Sequence, residues 1–141
     1  MKCVTLHASC VAVQGRGVLI VGPSGSGKSS LTLELMAYGA DLVADDRTNL
    51  TRTGASIVAT APANIANMIE ARGIGLLNAA GIAQSTIHCV VDMDQIETKR
   101  LPEPRNYTLL GLEIPLLHKI GNPSFAASLL QFIKAGWQDT T

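Results

Sequence analysis

An α/β fold built on a mixed β-sheet with flanking helices is predicted on three observations. The run Gly17-Val18-Leu19-Ile20-Val21 is apolar without alternation, which marks a short strand buried on both faces. It leads into a glycine-rich turn and then a helical pattern, with Leu31, Leu35 and Tyr38 three or four residues apart and Gly39 as the stop. Asp41 to Ala44 then supplies a second strand about a dozen residues after the helix starts, a spacing that suits a right-handed crossover and two parallel strands.

The other elements follow in order. Residues 3–13 are apolar and partly β-branched, and they end at the turn signal Gln14-Gly15-Arg16-Gly17. Residues 48–60 form a hairpin pattern around Thr53-Gly54-Ala55. Pro62 opens a short predicted helix through Met68, broken by Arg72-Gly73-Ile74-Gly75. Ile87 to Asp92 is a further apolar strand, 96–107 a charged loop with two prolines, 108–119 one or two late strands, and Ser124 to Trp137 an amphipathic helix.

Length and composition narrow the function. The 141 residues suit a single domain, taken as 1–141, and 47% hydrophobic content with a mean hydropathy of +0.26 allows a buried core. Eleven basic and eleven acidic residues give zero net charge, and aromatics are 4%, so neither phosphate-backbone binding nor base stacking to nucleic acid is indicated. No apolar run reaches the ~18–20 residues of a membrane span. The start, Met1 to Cys10, faintly resembles a signal peptide, but His7, Gln14 and Arg16 interrupt it. Cys3, Cys10 and Cys89 form no metal-ligand spacing and are expected to be reduced thiols, mostly packed, in a cytoplasmic protein.

Gly22-Pro23-Ser24-Gly25-Ser26-Gly27-Lys28-Ser29 satisfies G-x-x-x-x-G-K-[ST], with a buried strand before it and a helix after it. The glycines let the backbone wrap an anion, and successive N–H groups with the helix N-terminus supply donors. Lys28 would reach the β- and γ-phosphates of ATP, and the Ser29 hydroxyl would bind Mg²⁺. Asp45 and Asp46 end the returning strand, and in an open α/β sheet that end faces the ligand. Two adjacent acids allow one to sit near Mg²⁺ and the other to take a proton from an attacking hydroxyl. Three further residues stand open between a functional and a bland role. His7 is a lone strand histidine, Glu70 a helix-end carboxylate, and Arg100 a loop charge.

Taken together, His7 fifteen residues before the loop, the loop ending in Gly27-Lys28-Ser29, Val43-Ala44-Asp45-Asp46, and Ile69-Glu70-Ala71-Arg72-Gly73-Ile74-Gly75 resemble HPr kinase/phosphorylase. The resemblance covers residues 4–120 of the chain. It resembles the catalytic-domain-only short form, since the family's N-terminal domain has no counterpart here. It implies MgATP-dependent phosphorylation of a serine on the phosphocarrier protein HPr, and phosphate-dependent removal of that phosphate at the same site. It further implies Asp46 as proton acceptor, Glu70 as a second metal ligand, His7 as an active-site histidine and Arg100 as a catalytic arginine, although Pro102 stands where the family has glycine. It leaves the role of Arg72 undecided.

A homo-oligomer is also implied, a hexamer in the family, whose longer tails help build it and bind HPr. The family's P-V-x-x-G-R-N segment, tied to dephosphorylation, is replaced here by His118-Lys119-Ile120-Gly121-Asn122-Pro123-Ser124, without the arginine. A predominant kinase with weak phosphorylase activity is therefore expected, with Lys119 a poorer substitute because a single ammonium lacks the guanidinium fork. His118 and Lys119 approach the site only if that region folds as in the family. Two rival functions remain. A small-molecule kinase usually closes an arginine-rich lid, and this chain has no obvious lid run. A non-catalytic nucleotide-sensing regulator would bind ATP without transferring phosphate.

Overall fold

A computed structural model describes residues 2–138; Met1 and residues 139–141, the extreme ends of the expected domain, lie outside the described residues. In chain order the elements are β1 (Cys3–Leu6), β2 (Ala8–Val13), β3 (Arg16–Val21), α1 (Lys28–Ala37) and β4 (Asp41–Ala44). Then come β5 (Thr48–Thr53), β6 (Ser56–Thr60), a single 3-10 turn at Ala63–Ile65, β7 (Met68–Ala71) and β8 (Gly75–Asn78). The chain continues with β9 (Gln84–Ile96), β10 (Arg105–Leu109), β11 (Leu112–Lys119) and α2 (Phe125–Ala135).

Nine strands form one sheet in the order β1-β5-β6-β9-β3-β2-β4, with β11 joined to β9 and β10 to β11. The long strand β9 organises it. One edge pairs in parallel with β3. The other edge is shared, antiparallel with β6 at residues 84–86 and parallel with β11 from Val90 onward. β7 and β8 make a separate antiparallel hairpin. Both faces of the central strands are buried, which accounts for their unbroken apolar sequence. Val11, Val18, Ile20, Cys89 and Val91 pack under Leu31 and Leu35 of α1 and Leu129 and Ile133 of α2. Cys10, Leu19 and Val90 turn the other way, onto Leu50, Ile57 and Ile114 of the curled part of the sheet.

Helix α1 stops where expected, and the geometry gives the reason. The Ala40 N–H bonds the Leu35 carbonyl and the Gly39 N–H bonds the Met36 carbonyl, with Gly39 at φ +103. That is a Schellman termination, whose left-handed residue favours glycine.

Four expectations change. Asp41–Ala44 does run parallel to β3, but β2 lies between them and pairs antiparallel with both. The preceding hairpin occupies the neighbouring slot before the crossover returns. The helix expected over 62–68 amounts to one 3-10 turn, because Ala66 is already extended and Asn67 is left-handed. Glu70 therefore sits on a strand, alternating with buried Ile69 and Ala71. The apolar strand expected over 87–92 is thirteen residues long, and the charged loop is shortened at both ends by β9 and β10. Residues 3–13 are two strands, split by a bend at His7.

Candidate active site

The turn from β3 into α1 forms the floor of a cavity of about 660 Å³. Gly22, Gly25 and Gly27 all have positive φ, at +145, +80 and +98. At Gly22 a side chain is also sterically barred, because a Cβ would lie 2.7 Å from Ser26 Oγ. Lys28 begins α1 and is only 7% exposed. Its Nζ donates to the carbonyls of Gly22 (2.7 Å) and Pro23 (3.0 Å). No carboxylate pairs with it among the described residues, so a nearly buried cation is held at the cavity by hydrogen bonds to neutral carbonyls.

The two aspartates after β4 have separate environments. Asp45 is 6% exposed, and its Oδ1 accepts from Ser9 Oγ and Ser29 Oγ, both at 2.8 Å. Its Oδ2 accepts from the Glu70 N–H at 3.1 Å. Asp46 is exposed, with a backbone φ of +69, and its Oδ1 lies 2.7 Å from His7 Nε2. A left-handed aspartate stores strain of order 1 kcal/mol, and the strain here turns consecutive side chains to different tasks. His7 reaches Asp46 because it occupies the bend between β1 and β2 rather than a regular strand position.

His7, residues 24–29, Asp45, Asp46, Glu70, Arg72 and Lys119 all line this one cavity. Gly22 and Pro23 reach it through their carbonyls on Lys28. Arg100 does not line it. That residue borders a second cavity of about 590 Å³ together with His118, Phe132 and Trp137, because the 97–104 segment leaves β9 on the side facing α2. Three residues go beyond the sequence-based set. Ser9 could have been suspected as a lone hydroxyl in an otherwise apolar strand, where burial demands a partner. Arg72 opens the hairpin turn two residues after Glu70 and is now placed at the cavity. Lys119 is brought there only by the pairing of β11 with β9, which no local signal announces.

The residues fit a nucleotide phosphate and a hard cation. Wrapped glycine turns and an unpaired, nearly buried ammonium suit an anion. Ser29 Oγ and the carboxylates of Asp45 and Glu70 are oxygen donors of the kind Mg²⁺ takes, few enough to leave it several waters. Among the described residues no group of three His, Cys, Asp or Glu side chains forms a dedicated metal cage.

Residues 1–117 match the sequence model of the HPr serine kinase C-terminal domain. The chain belongs to that family. The HPr kinase/phosphorylase of Bordetella pertussis is 38% identical over an alignment of 123 positions that covers 78% of this chain and 40% of that protein. The HPr kinase/phosphorylase of Alkaliphilus metalliredigens is 38% identical over 113 residues, covering 78% of this chain and 37% of its own length. This chain thus spans about two fifths of these relatives. In three dimensions it resembles the HPr(Ser) kinase/phosphatase of Coxiella burnetii, with a TM-score of 0.78, 23% identity, and coverage of 93% of this chain and 94% of that one. That likeness establishes the shared fold. No helix among the described residues is long and apolar enough to cross a membrane.

Proposed function

We propose that this chain is an ATP-dependent protein-serine kinase whose acceptor is the cytoplasmic phosphocarrier HPr. The observation that carries the proposal is the division between its adjacent aspartates. Asp45 is buried and bonded to the Ser29 hydroxyl, while Asp46 is exposed beside the same cavity and bonded to His7. A phosphate loop alone would serve many activities; an exposed carboxylate held next to it suits a kinase whose acceptor hydroxyl must lose a proton.

In this reading the 22–29 turn and Lys28 hold the phosphates of ATP, and Ser29, Asp45 and Glu70 hold Mg²⁺. ATP would supply the γ-phosphoryl group, with ADP as the leaving group, and Mg²⁺ would neutralise part of the phosphate charge. Asp46 takes the proton of the acceptor hydroxyl at its carboxylate, and His7, donating from Nε2, orients that carboxylate. Lys28 stabilises charge that develops on the transferring group. Arg72 borders the same space and assists in holding anionic groups. Arg100 acts here only if the 97–104 segment swings away from its own cavity.

Incubation of the full chain with MgATP and purified HPr, followed by mass measurement of HPr, tests the proposal. A gain of one phosphoryl group, lost in Lys28→Ala, is the expected result. ATP binding with no transfer would instead favour the nucleotide-sensing regulator.

A further inference from the structure

Lys119, at the end of β11, lines the phosphate cavity beside Ser26 of the 22–29 turn. Strand β11 follows β9 in regular register through Leu116, Leu117 and His118, which pair with Val90, Val91 and Asp92. The register then slips, and Lys119 pairs with Ile96. The residues before the slip border the second cavity, whereas Lys119 borders the phosphate cavity. A bulge of this kind re-aims a side chain and fixes the backbone that carries it. Here the Glu97 N–H bonds the Lys119 carbonyl at 2.8 Å, so the re-aimed residue is anchored.

The ammonium has little to hold it. Nζ donates to the Ser26 carbonyl at 3.4 Å, at the long limit for a hydrogen bond, and no carboxylate pairs with it among the described residues. Ser26 also owns the single buried side-chain oxygen that lacks a partner among the described residues. A cation with spare N–H donors therefore stands beside a loop residue whose hydroxyl is buried without a partner.

We propose that Lys119 is a phosphate ligand of this site, binding the terminal phosphate of a bound nucleotide, or inorganic phosphate, together with Lys28. The proposal rests on reading the 22–29 turn as a nucleotide site. It assigns to β11 a cation that does not belong to the loop motif. Two ammonium groups lining one cavity, each bonded to carbonyls of the same turn, neutralise more of a phosphate's charge than either alone.

Calorimetric titration of the full chain with MgATP and, separately, with inorganic phosphate tests this in the wild type, Lys119→Gln and Lys119→Arg. Glutamine keeps a donor for the Ser26 carbonyl but carries no charge, so the melting curve should not move. ATP should bind Lys119→Gln about tenfold more weakly or worse, as expected for a lost charge-assisted hydrogen bond, and Lys119→Arg should recover most of the loss. Weakening of ATP alone identifies the nucleotide's phosphate as the ligand, and weakening of both shows that free phosphate is gripped too. Wild-type affinity for both ligands in Lys119→Gln would overturn the proposal. Wild-type chain that binds no ATP would overturn it together with the nucleotide site, whereas tight ATP binding without HPr phosphorylation would strike only the acceptor assignment.

Discussion

Ser9 and Asp45 are hydrogen-bonded at 2.8 Å between β2 and the end of β4, and Ser9 is fully buried. The same Asp45 oxygen accepts from Ser29 at the start of α1, and its other oxygen accepts from the backbone of β7. One carboxylate therefore ties together four elements at the mouth of the phosphate loop, and its orientation is set before any ligand arrives. Ser9→Ala should lower stability by about 1 kcal/mol, the usual worth of one such bond. It should also raise the Mg²⁺ concentration needed for half-maximal ATP binding several-fold, while Ser9→Thr keeps the bond and restores it. Thermal melting and Mg²⁺ titration of nucleotide binding measure the two effects separately.

The neighbouring aspartates should respond differently to the same chemical change. Asp46→Asn removes a proton acceptor that is exposed and bonded only to His7, so transfer should slow by about 10²–10⁴-fold with ATP affinity little altered. Asp45→Asn places an amide among three donors that need an acceptor, so it should reduce stability and shift the Mg²⁺ dependence. Steady-state kinetics alongside melting curves would distinguish them, and exchanged phenotypes would move the base to Asp45.

Thiol reactivity should follow burial. Cys10 and Cys89 are both buried; burial pushes the Cys89 thiol up to about 12 and raises that of Cys10 further, with Cys89 adding to the effect. Cys3 is exposed. Brief treatment of the native chain with N-ethylmaleimide at neutral pH should add one label, at Cys3, and treatment in urea should add three. Intact mass measurement reads the count. Two labels on the native chain would contradict the packing of β2 or β9.

The Glu97–Arg105 ion pair should make stability fall in acid. The Arg105 guanidinium, hydrogen-bonded to Glu97, holds that carboxyl below its ordinary value. A carboxyl depressed in the folded state contributes fully above its unfolded pKa, and the contribution disappears as pH falls through the lower, folded value. Melting temperatures of wild type and Glu97→Gln should therefore differ at neutral pH and converge in acid, once pH has fallen through the lowered folded value and the carboxyl is protonated in both states. A constant difference across that range would show that the side chain acts through packing alone.

The phosphate loop, the helix after it and the paired aspartates were legible in the sequence because each depends on neighbours in the chain. Glycine supplies left-handed backbone wherever it stands, and an apolar run followed by Gly-Lys-Ser needs no distant residue to make its turn. His7, Glu70 and both aspartates were also nameable from their residues, and the family resemblance cast Asp46 as the proton acceptor, but the geometry that separates the two acids was not legible. The bend at His7, the left-handed Asp46 and the strand under Glu70 settle which carboxylate is pinned and which is free, and these arise where separate strands meet. The helix expected after Pro62 failed for the same reason: a strand pairing with β8 outweighs a few residues of weak local preference. Ser9 and Lys119 reach the site from β2 and β11, ninety-three residues from Ser26 in the case of the lysine. Contacts at that separation are set by sheet pairing and register, and a one-residue slip redirects a side chain. The sequence by itself determined that this protein has a glycine-rich strand-to-helix turn ending in Gly-Lys-Ser, with two adjacent acids after the next strand. Only the tertiary structure decided which oxygen is locked, which is exposed, and which distant cation faces them.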